Sequence, residues 1–469
     1  MVSDTARKEI TTILSADEVI HPSSEDAFVT ETKTWSAGAN RKPGLVVRPA
    51  NLTSLQKIVK YLCDSDLEFA VRSTGTGDAT AQDVVISLSA FDDVQFDEEK
   101  MEVLLGAGQE WGSVYPKFKD IAPGYAVPGA RQPFVGVGGS ILGGGVSWLS
   151  MEHGLISNAK NLLDAQVVLA DGSVVWASSE PDLMWAIRGG GGNFGVLVNV
   201  KLRAYKEDKP VFFGPVLYPE SSIEAISKAV ADFIPKNKDP KVAIMAFATE
   251  PNSPLFPFPR GVGLLLYDAN GEDSGRKNFQ WAFEIEGAKP MVGEMPYYNV
   301  VMGNAQLSAL KGKTSTFGQS ALVKEVDPGL VARCMNWYFK TIEEDETLAH
   351  GSYVLFEHAQ PACFGSSEGK SAWPYNEPAH LLQLGVGYLP ESSCSLDTAM
   401  TVLGESFGKI VPGITSADFM PNFINPKYTD IPAIFGKNYQ KLREVKTKYD
   451  PKDRFSRALM HIPPIWGAI

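Results

Sequence analysis

Cysteine and histidine are scarce in this sequence, four and six among 469 residues. Cys63, Cys334, Cys363 and Cys394 stand far apart, with no CxxC pair and no Cys/His spacing. That excludes the usual zinc frameworks and leaves no metal motif. Nothing requires a disulfide, and Cys63 falls in a helical pattern and reads as core. No window approaches the roughly eighteen apolar residues of a membrane span. The opening MVSDTARKEI lacks the apolar stretch of a signal peptide. A cytoplasmic protein is the expectation, with secretion left open should a leader precede this sequence. Long runs of one charge sign are also missing. The net charge is −12, so neither a nucleic-acid nor a membrane partner is expected.

Glycine is what the chain has in plenty, 43 residues of it. A hydrophobic share of 44% with 10% aromatics is ample for a sizeable core. It fits an ordered globular enzyme of two or three domains. The densest glycine stretch runs from Gly129 to Ser147 as GARQPFVGVGGSILGGGVS. Glycine lacks Cβ, so it permits positive φ and lets backbone approach a ligand closely. Successive exposed N–H groups in such turns form an anion-binding concavity. Two similar loops flank it: Arg72-Ser73-Thr74-Gly75-Thr76-Gly77, and RGGGGNFG from Arg188 to Gly195. Three such loops suggest a long, phosphate-bearing ligand laid across several turns. For any one of them, tight turns in a β-rich region are the plainer explanation.

Gly44 to Pro49 reads as a short strand closed by proline. Thr53-Ser54-Leu55-Gln56 reads as a capping box, opening a helix with Leu55, Ile58, Val59 and Leu62 at helical spacing. Glu68 to Val71 is a strand that delivers the chain into RSTGTG, at the strand end where α/β folds bind ligands. Further strands are expected at Val84–Leu88 and Glu102–Gly108, then a helix carrying Trp111, Val114, Tyr115 and Phe118. Ala170-Asp171-Gly172-Ser173 signals a hairpin. Gly190 to Gly195 formally matches GxGxxG. The alternating Val196, Val198, Val200 and Leu202 after it make a strand, not the helix a dinucleotide fold needs, so the Rossmann reading is rejected. Composition shifts near Lys206–Pro210. Domains are therefore expected over 1–206 and 207–418, the second an α+β unit, with a C-terminal segment over 419–469 returning to the first. In that segment Phe435, Tyr439, Leu442 and Val445 form an apolar stripe on a Lys/Arg-rich helix. Its basic face is expected to be solvated.

Several blocks stand in one order: LVVRP, RSTGTG, LSAFDDVQFDEE, VGVGGSILGGGVSWLS, VVLADGSVV, DLMWAIRGGGGNFGV and FGKNYQKLREVKTKYDPKDRF. Together they resemble the berberine bridge enzyme-like branch of the vanillyl-alcohol oxidase flavoproteins, over nearly the whole chain. The resemblance implies an α+β fold. A PCMH-type FAD-binding domain of two α/β subdomains would join a substrate domain whose antiparallel sheet is covered by helices. It implies FAD, with the diphosphate over the RSTGTG loop and the stretch carrying Val135, Gly138, Gly139, Ser140, Gly143 and Gly145. Further cofactor contacts are implied at Gln132, Val196 and Asn425.

The departures from the family pattern are informative. Many relatives carry RSGGH, whose histidine bonds covalently to the flavin, and Thr76 stands at that position. Many carry a flavin-linked cysteine three residues before Val135, and Gln132 stands there. Neither anchor is present, so FAD is expected to bind non-covalently and at lower potential. The TAFPHR-like segment facing substrate reads Ser371-Ala372-Trp373-Pro374-Tyr375-Asn376, with Tyr375 in place of a histidine. The C-terminal YxNY reads Phe423-Ile424-Asn425-Pro426. Flavin oxidation needs a hydride donor held over the ring and often a base. The candidates are Tyr375, Glu357, Tyr428 and Asp430. A tyrosine of pKa about 10 serves as a base only if a cation or hydrogen bond lowers it. Trp373 reads as pocket wall. The expected activity is hydride abstraction from a small hydrophobic secondary metabolite, giving oxidation, desaturation or oxidative cyclisation, with dioxygen as one candidate acceptor. The alternative is a redox-neutral isomerase or cyclase on the same scaffold, its flavin structural or absent.

Overall fold

Valine-rich segments build the first sheet. In the computed structural model, which describes all residues except Met1, Pro254, Ser366, Glu368, Pro426, Lys427 and 467–469, the strands Leu45–Val47, Val84–Ser87 and Phe69–Arg72 run parallel. Val19–Ile20 pairs antiparallel on the outer edge. The helix Leu52–Asp64 makes the crossover and buries Leu55, Ile58, Val59 and Leu62. Its cap differs from the sequence expectation. Asn51 is the N-cap and accepts the Ser54 N–H at 3.0 Å, while Thr53 lies inside the first turn. An asparagine side chain just before the helix reaches the third helical N–H directly, leaving no need for the threonine.

A second, antiparallel sheet follows the order Val94–Asp97, Glu102–Gly106, Val196–Arg203, Leu162–Val168, Val174–Trp176. Gly172 at φ +82° turns the hairpin between the last two. RGGGGNFG leads into the strand Val196–Arg203 and follows the helix Pro181–Ile187.

The third sheet is antiparallel and larger. Val211–Pro219, Gly261–Asp268, Val242–Thr249, Tyr353–His358, His380–Tyr388 and Ser315–Val323 pair in that order, with short edge strands beyond the first. The helices Ile223–Phe233, Leu330–Glu344 and Leu396–Ile410 cover one face. Strand side chains alternate, so the register puts Met245, Glu357 and Leu381 side by side on the opposite face, and Tyr353 beside Gly385.

The C-terminal helix Tyr439–Tyr449 packs back on Pro181–Ile187. Its basic face is not wholly solvated. Lys446 is fully buried, and its ammonium meets the Asn193 carbonyl at 3.0 Å, Asp450 at 2.7 Å and Asp453 at 3.0 Å. Three oxygens offset the burial of that charge. Among the described residues no helix is long and apolar enough to cross a membrane.

Candidate cofactor cradle and active site

The strand Phe69–Arg72 ends in RSTGTG, and side chains sew the loop down from below. Gly75, at φ +83°, lies over the Arg72 guanidinium, and a Cβ there would sit 1.8 Å from Nη1. Arg72 is 2% exposed and donates to the carbonyls of Lys33 at 2.9 Å and Thr30 at 3.3 Å. Burial lowers its pKa to about 10, so it stays charged at neutral pH. Ser73 Oγ donates to the Ala107 carbonyl at 2.6 Å, and Thr76 Oγ1 to the Phe134 carbonyl at 2.7 Å. The backbone N–H groups of Thr74, Gly75, Thr76 and Gly77 have no acceptor among the described residues. Consecutive free donors of this kind form an anion nest.

The VGVGG stretch closes against this loop. Gly136 pairs with Glu110 across a short bridge. A Cβ on Gly136 would lie 2.6 Å from Thr74 Oγ1 and 2.8 Å from Ser73 Oγ, so only glycine lets the two segments touch. Residues Val137–Leu142 then form a short helix rather than a turn, because Gln109 and Ala107 carbonyls take its first N–H groups. Ser140 Oγ accepts the Trp111 indole N–H at 3.0 Å. Gly139 is exposed and faces open space. Val135 accepts the Trp111 N–H through its carbonyl, and a Cβ on Gly138 would stand 3.2 Å from the Ala107 carbonyl.

Other glycines serve packing. Gly143 abuts Asn422. Gly144, at φ +102°, and Gly189, at φ +97°, lie against Trp373. Trp373 and Ala372 donate backbone hydrogen bonds to Arg188 and Trp185, each at 3.0 Å. The SAWPYN segment thus docks on the third glycine loop, with Trp373 buried against Gly144 and Gly189. Gly145 packs on Ile156. Val196 is fully buried in the apolar core, so its side chain has no open face for a cofactor.

The four acid–base candidates are not brought together. Tyr375 donates to the Ala417 carbonyl at 2.9 Å and also to the Phe419 carbonyl; its hydroxyl is committed, and burial raises its pKa. Tyr428 packs at Gly404 on the helix Leu396–Ile410. Asp430 is exposed and caps the helix Ile431–Phe435. Asn425 is 1% exposed and donates to the Met400 carbonyl on that same long helix. Pro426 lies outside the described residues.

Glu357 alone faces the glycine segments. It is 1% exposed and forms an ion pair with Arg131, the neighbour of Gln132. Its second oxygen, and Gln132 Oε1 nearby in sequence, have no partner among the described residues. The Arg131 guanidinium lies 5.2 Å from the Trp148 ring, which stacks on Tyr267. Two further side chains on this face were missed in the sequence. Gln383 donates to Tyr353 Oη at 3.0 Å, and Gly385 and Gly318 leave space for the ring. Burial pushes the Tyr353 phenol up to about 12, so it remains a hydrogen-bond donor at neutral pH. Isolated glycines within a strand signal such close approach, and Gly318 and Gly385 were that signal.

Two family models match. One, for an FAD binding domain, spans residues 43–178, and the other, berberine and berberine like, spans residues 422–459. Together these two matches support a berberine bridge enzyme-like protein with an FAD binding domain. It is 28% identical over 296 residues to an uncharacterized FAD-linked oxidoreductase of Arthroderma benhamiae, covering 61% of this chain and 57% of the relative. It is 32% identical over 213 residues to (R)-6-hydroxynicotine oxidase of Paenarthrobacter nicotinovorans, covering 44% and 45%. The match thus spans about half the length of these relatives. An FAD-linked oxidoreductase of Pestalotiopsis fici matches at 24% identity over 96% of this chain and 90% of its own. The fold matches 6-hydroxy-D-nicotine oxidase from Arthrobacter nicotinovorans with TM-score 0.82 at 21% identity, over 97% of this chain and 99% of the other.

In this chain the cradle fits an FAD diphosphate, and it lies within the segment that matches the FAD binding domain. The free N–H groups of Thr74–Gly77 lie against a segment whose glycines leave room, and Gly139 opens outward. At the two positions where the family pattern has a histidine and a cysteine stand a hydroxyl, Thr76, and an amide, Gln132.

Proposed function

We propose that this protein is an FAD-dependent oxidoreductase that holds FAD without a covalent bond and oxidises a small hydrophobic secondary metabolite. The observation carrying this reading is the nest of free N–H groups at Thr74–Gly77, with Thr76 and Gln132 at the anchor positions. Relatives named (R)-6-hydroxynicotine oxidase and FAD-dependent monooxygenase support the redox class. Bound FAD supplies a two-electron acceptor for hydride. The chain's residues do the rest. The loop N–H groups hold the diphosphate, and Trp373 with Asn422 walls the glycine side against water. Met245, Leu355 and Leu381 line the sheet face around Glu357 and favour an apolar substrate. The free Glu357 oxygen takes a proton from a substrate hydroxyl or amine as hydride leaves. Arg131 keeps that carboxylate oriented, and Tyr353 offers a hydrogen bond to the substrate oxygen or nitrogen.

Anaerobic mixing of the yellow protein with a panel of small aromatic alcohols and amines tests this. At least one class is expected to bleach the flavin, and Glu357→Gln is expected to keep the colour but slow bleaching by about 10²–10⁴-fold. Turnover of a substrate without bleaching and without change in product mass would overturn the redox reading and leave the isomerase or cyclase alternative. Unchanged bleaching in Glu357→Gln would remove that residue from the mechanism.

A further inference from the structure

Lys311 follows the turn Ala305–Leu310 and reaches the first glycine loop from a segment 237 residues away in sequence. Its ammonium donates to the Thr74 carbonyl and stands 3.6 Å from the Glu110 carboxylate. Trp35 ties the same two segments together: its carbonyl takes the Gly312 N–H at 2.9 Å, and its N–H binds the Gly75 carbonyl at 3.0 Å. The Lys311 side chain is only 18% exposed. Burial and the charge of Arg72 pull its pKa down, so its protein partners do not fully compensate the ammonium. Glu110 belongs to the cradle as well, since its backbone pairs with Gly136. Arg72, Lys311 and Glu110 therefore border the cradle, with Glu31 and Asp78 acting on Arg72 and Lys33 on Lys311.

A trans peptide points its carbonyl and the next N–H in opposite directions. By holding the Thr74 carbonyl, Lys311 turns the Gly75 N–H the other way, where it has no acceptor among the described residues. We propose that Lys311 is a positioning residue for the cofactor: it orients the Thr74–Gly75 peptide, and its charge across that peptide favours the diphosphate of an incoming dinucleotide, while the Glu110 carboxylate beside it opposes that diphosphate. This rests on the FAD reading above. It makes cofactor affinity depend on the docking of the segment around Lys311.

The test is fluorescence titration of deflavinated protein with FAD and, separately, with riboflavin, which has no phosphate. Lys311→Met is expected to weaken FAD binding about tenfold or more while leaving riboflavin unchanged. Lys311→Arg should keep most of the affinity. Adding Glu110→Gln to Lys311→Met should restore part of it by removing a repelling carboxylate, and Glu110→Gln alone should tighten FAD. Thermal melting without flavin checks folding, and if Lys311→Met does not fold, the arginine and Glu110→Gln variants decide. An FAD affinity within about twofold of wild type overturns the proposal. So does an equal loss for FAD and riboflavin, which marks a purely structural role. If the wild-type protein itself binds no FAD, the functional reading fails and this proposal with it; wild-type binding with an indifferent Lys311 sinks the proposal alone.

Discussion

Gly136 has no room for a side chain between Ser73 and Thr74, and the nest exists only because the two segments touch there. A branched side chain must push them apart. Gly136→Val is expected to cost about 1–3 kcal/mol in urea unfolding and to lower the flavin-to-protein ratio after gel filtration well below that of wild type. A full flavin complement in that variant would remove this contact from the cradle. At this scale legibility was uneven. Thr76 and Gln132 could be read directly, because absence of a reactive side chain is visible in one dimension. The Arg131–Glu357 pair could not, because 226 residues separate its members and only the sheet register brings them together. Tyr375, Tyr428 and Asp430 have suitable chemistry, but backbone carbonyls, a helix face and a helix cap have already claimed them.

Elements were easier to read than their roles. Valine-rich strands, the hairpin at Gly172 and the helix Leu330–Glu344 follow from local pattern. The VGGSIL segment does not, since helix propensity disfavours its glycines, and tertiary acceptors for its first N–H groups override that preference. The neighbouring strands Tyr353–His358 and His380–Tyr388 carry a second feature invisible in sequence. His358 and His380 meet Nδ1 to Nδ1 at 3.2 Å, and the Ala359 N–H donates to His380 Nδ1. That makes His358 the donor of the pair and keeps both rings neutral. Burial lowers their pKa values to about 3 and about 4, below the unfolded value of about 6.5. The folded pair resists protons that the unfolded chain accepts. Its contribution is complete above pH about 6.5 and drains as pH falls toward about 4. Buried Asp78 and Glu207, each raised to about 7, act in the opposite direction and flatten the slope of the whole protein. The difference in unfolding free energy between wild type and His358→Leu/His380→Leu should therefore shrink by about 6 kcal/mol between pH 7 and pH 4. A difference independent of pH would show that the pair titrates normally.

At the scale of the molecule, three sheets converge on one set of glycine segments. Trp373, Lys311 and Glu357 approach them from the third-sheet region. Lys446 anchors the C-terminal helix to the RGGGGNFG loop through the Asn193 carbonyl. The family and fold were legible because the blocks keep their order along the whole chain. The use of the third loop as a docking surface for Trp373 was not, since glycine permits close approach without naming the partner. The functional proposal stands on FAD being retained without a covalent bond to Thr76, Gln132 or any other side chain. Acid precipitation of the yellow protein, with intact mass measurement of the pellet, tests it most directly. Flavin released to the supernatant, a colourless pellet and an unmodified chain mass are the predicted result. Colour retained in the pellet with the chain heavier by one flavin nucleotide would contradict it.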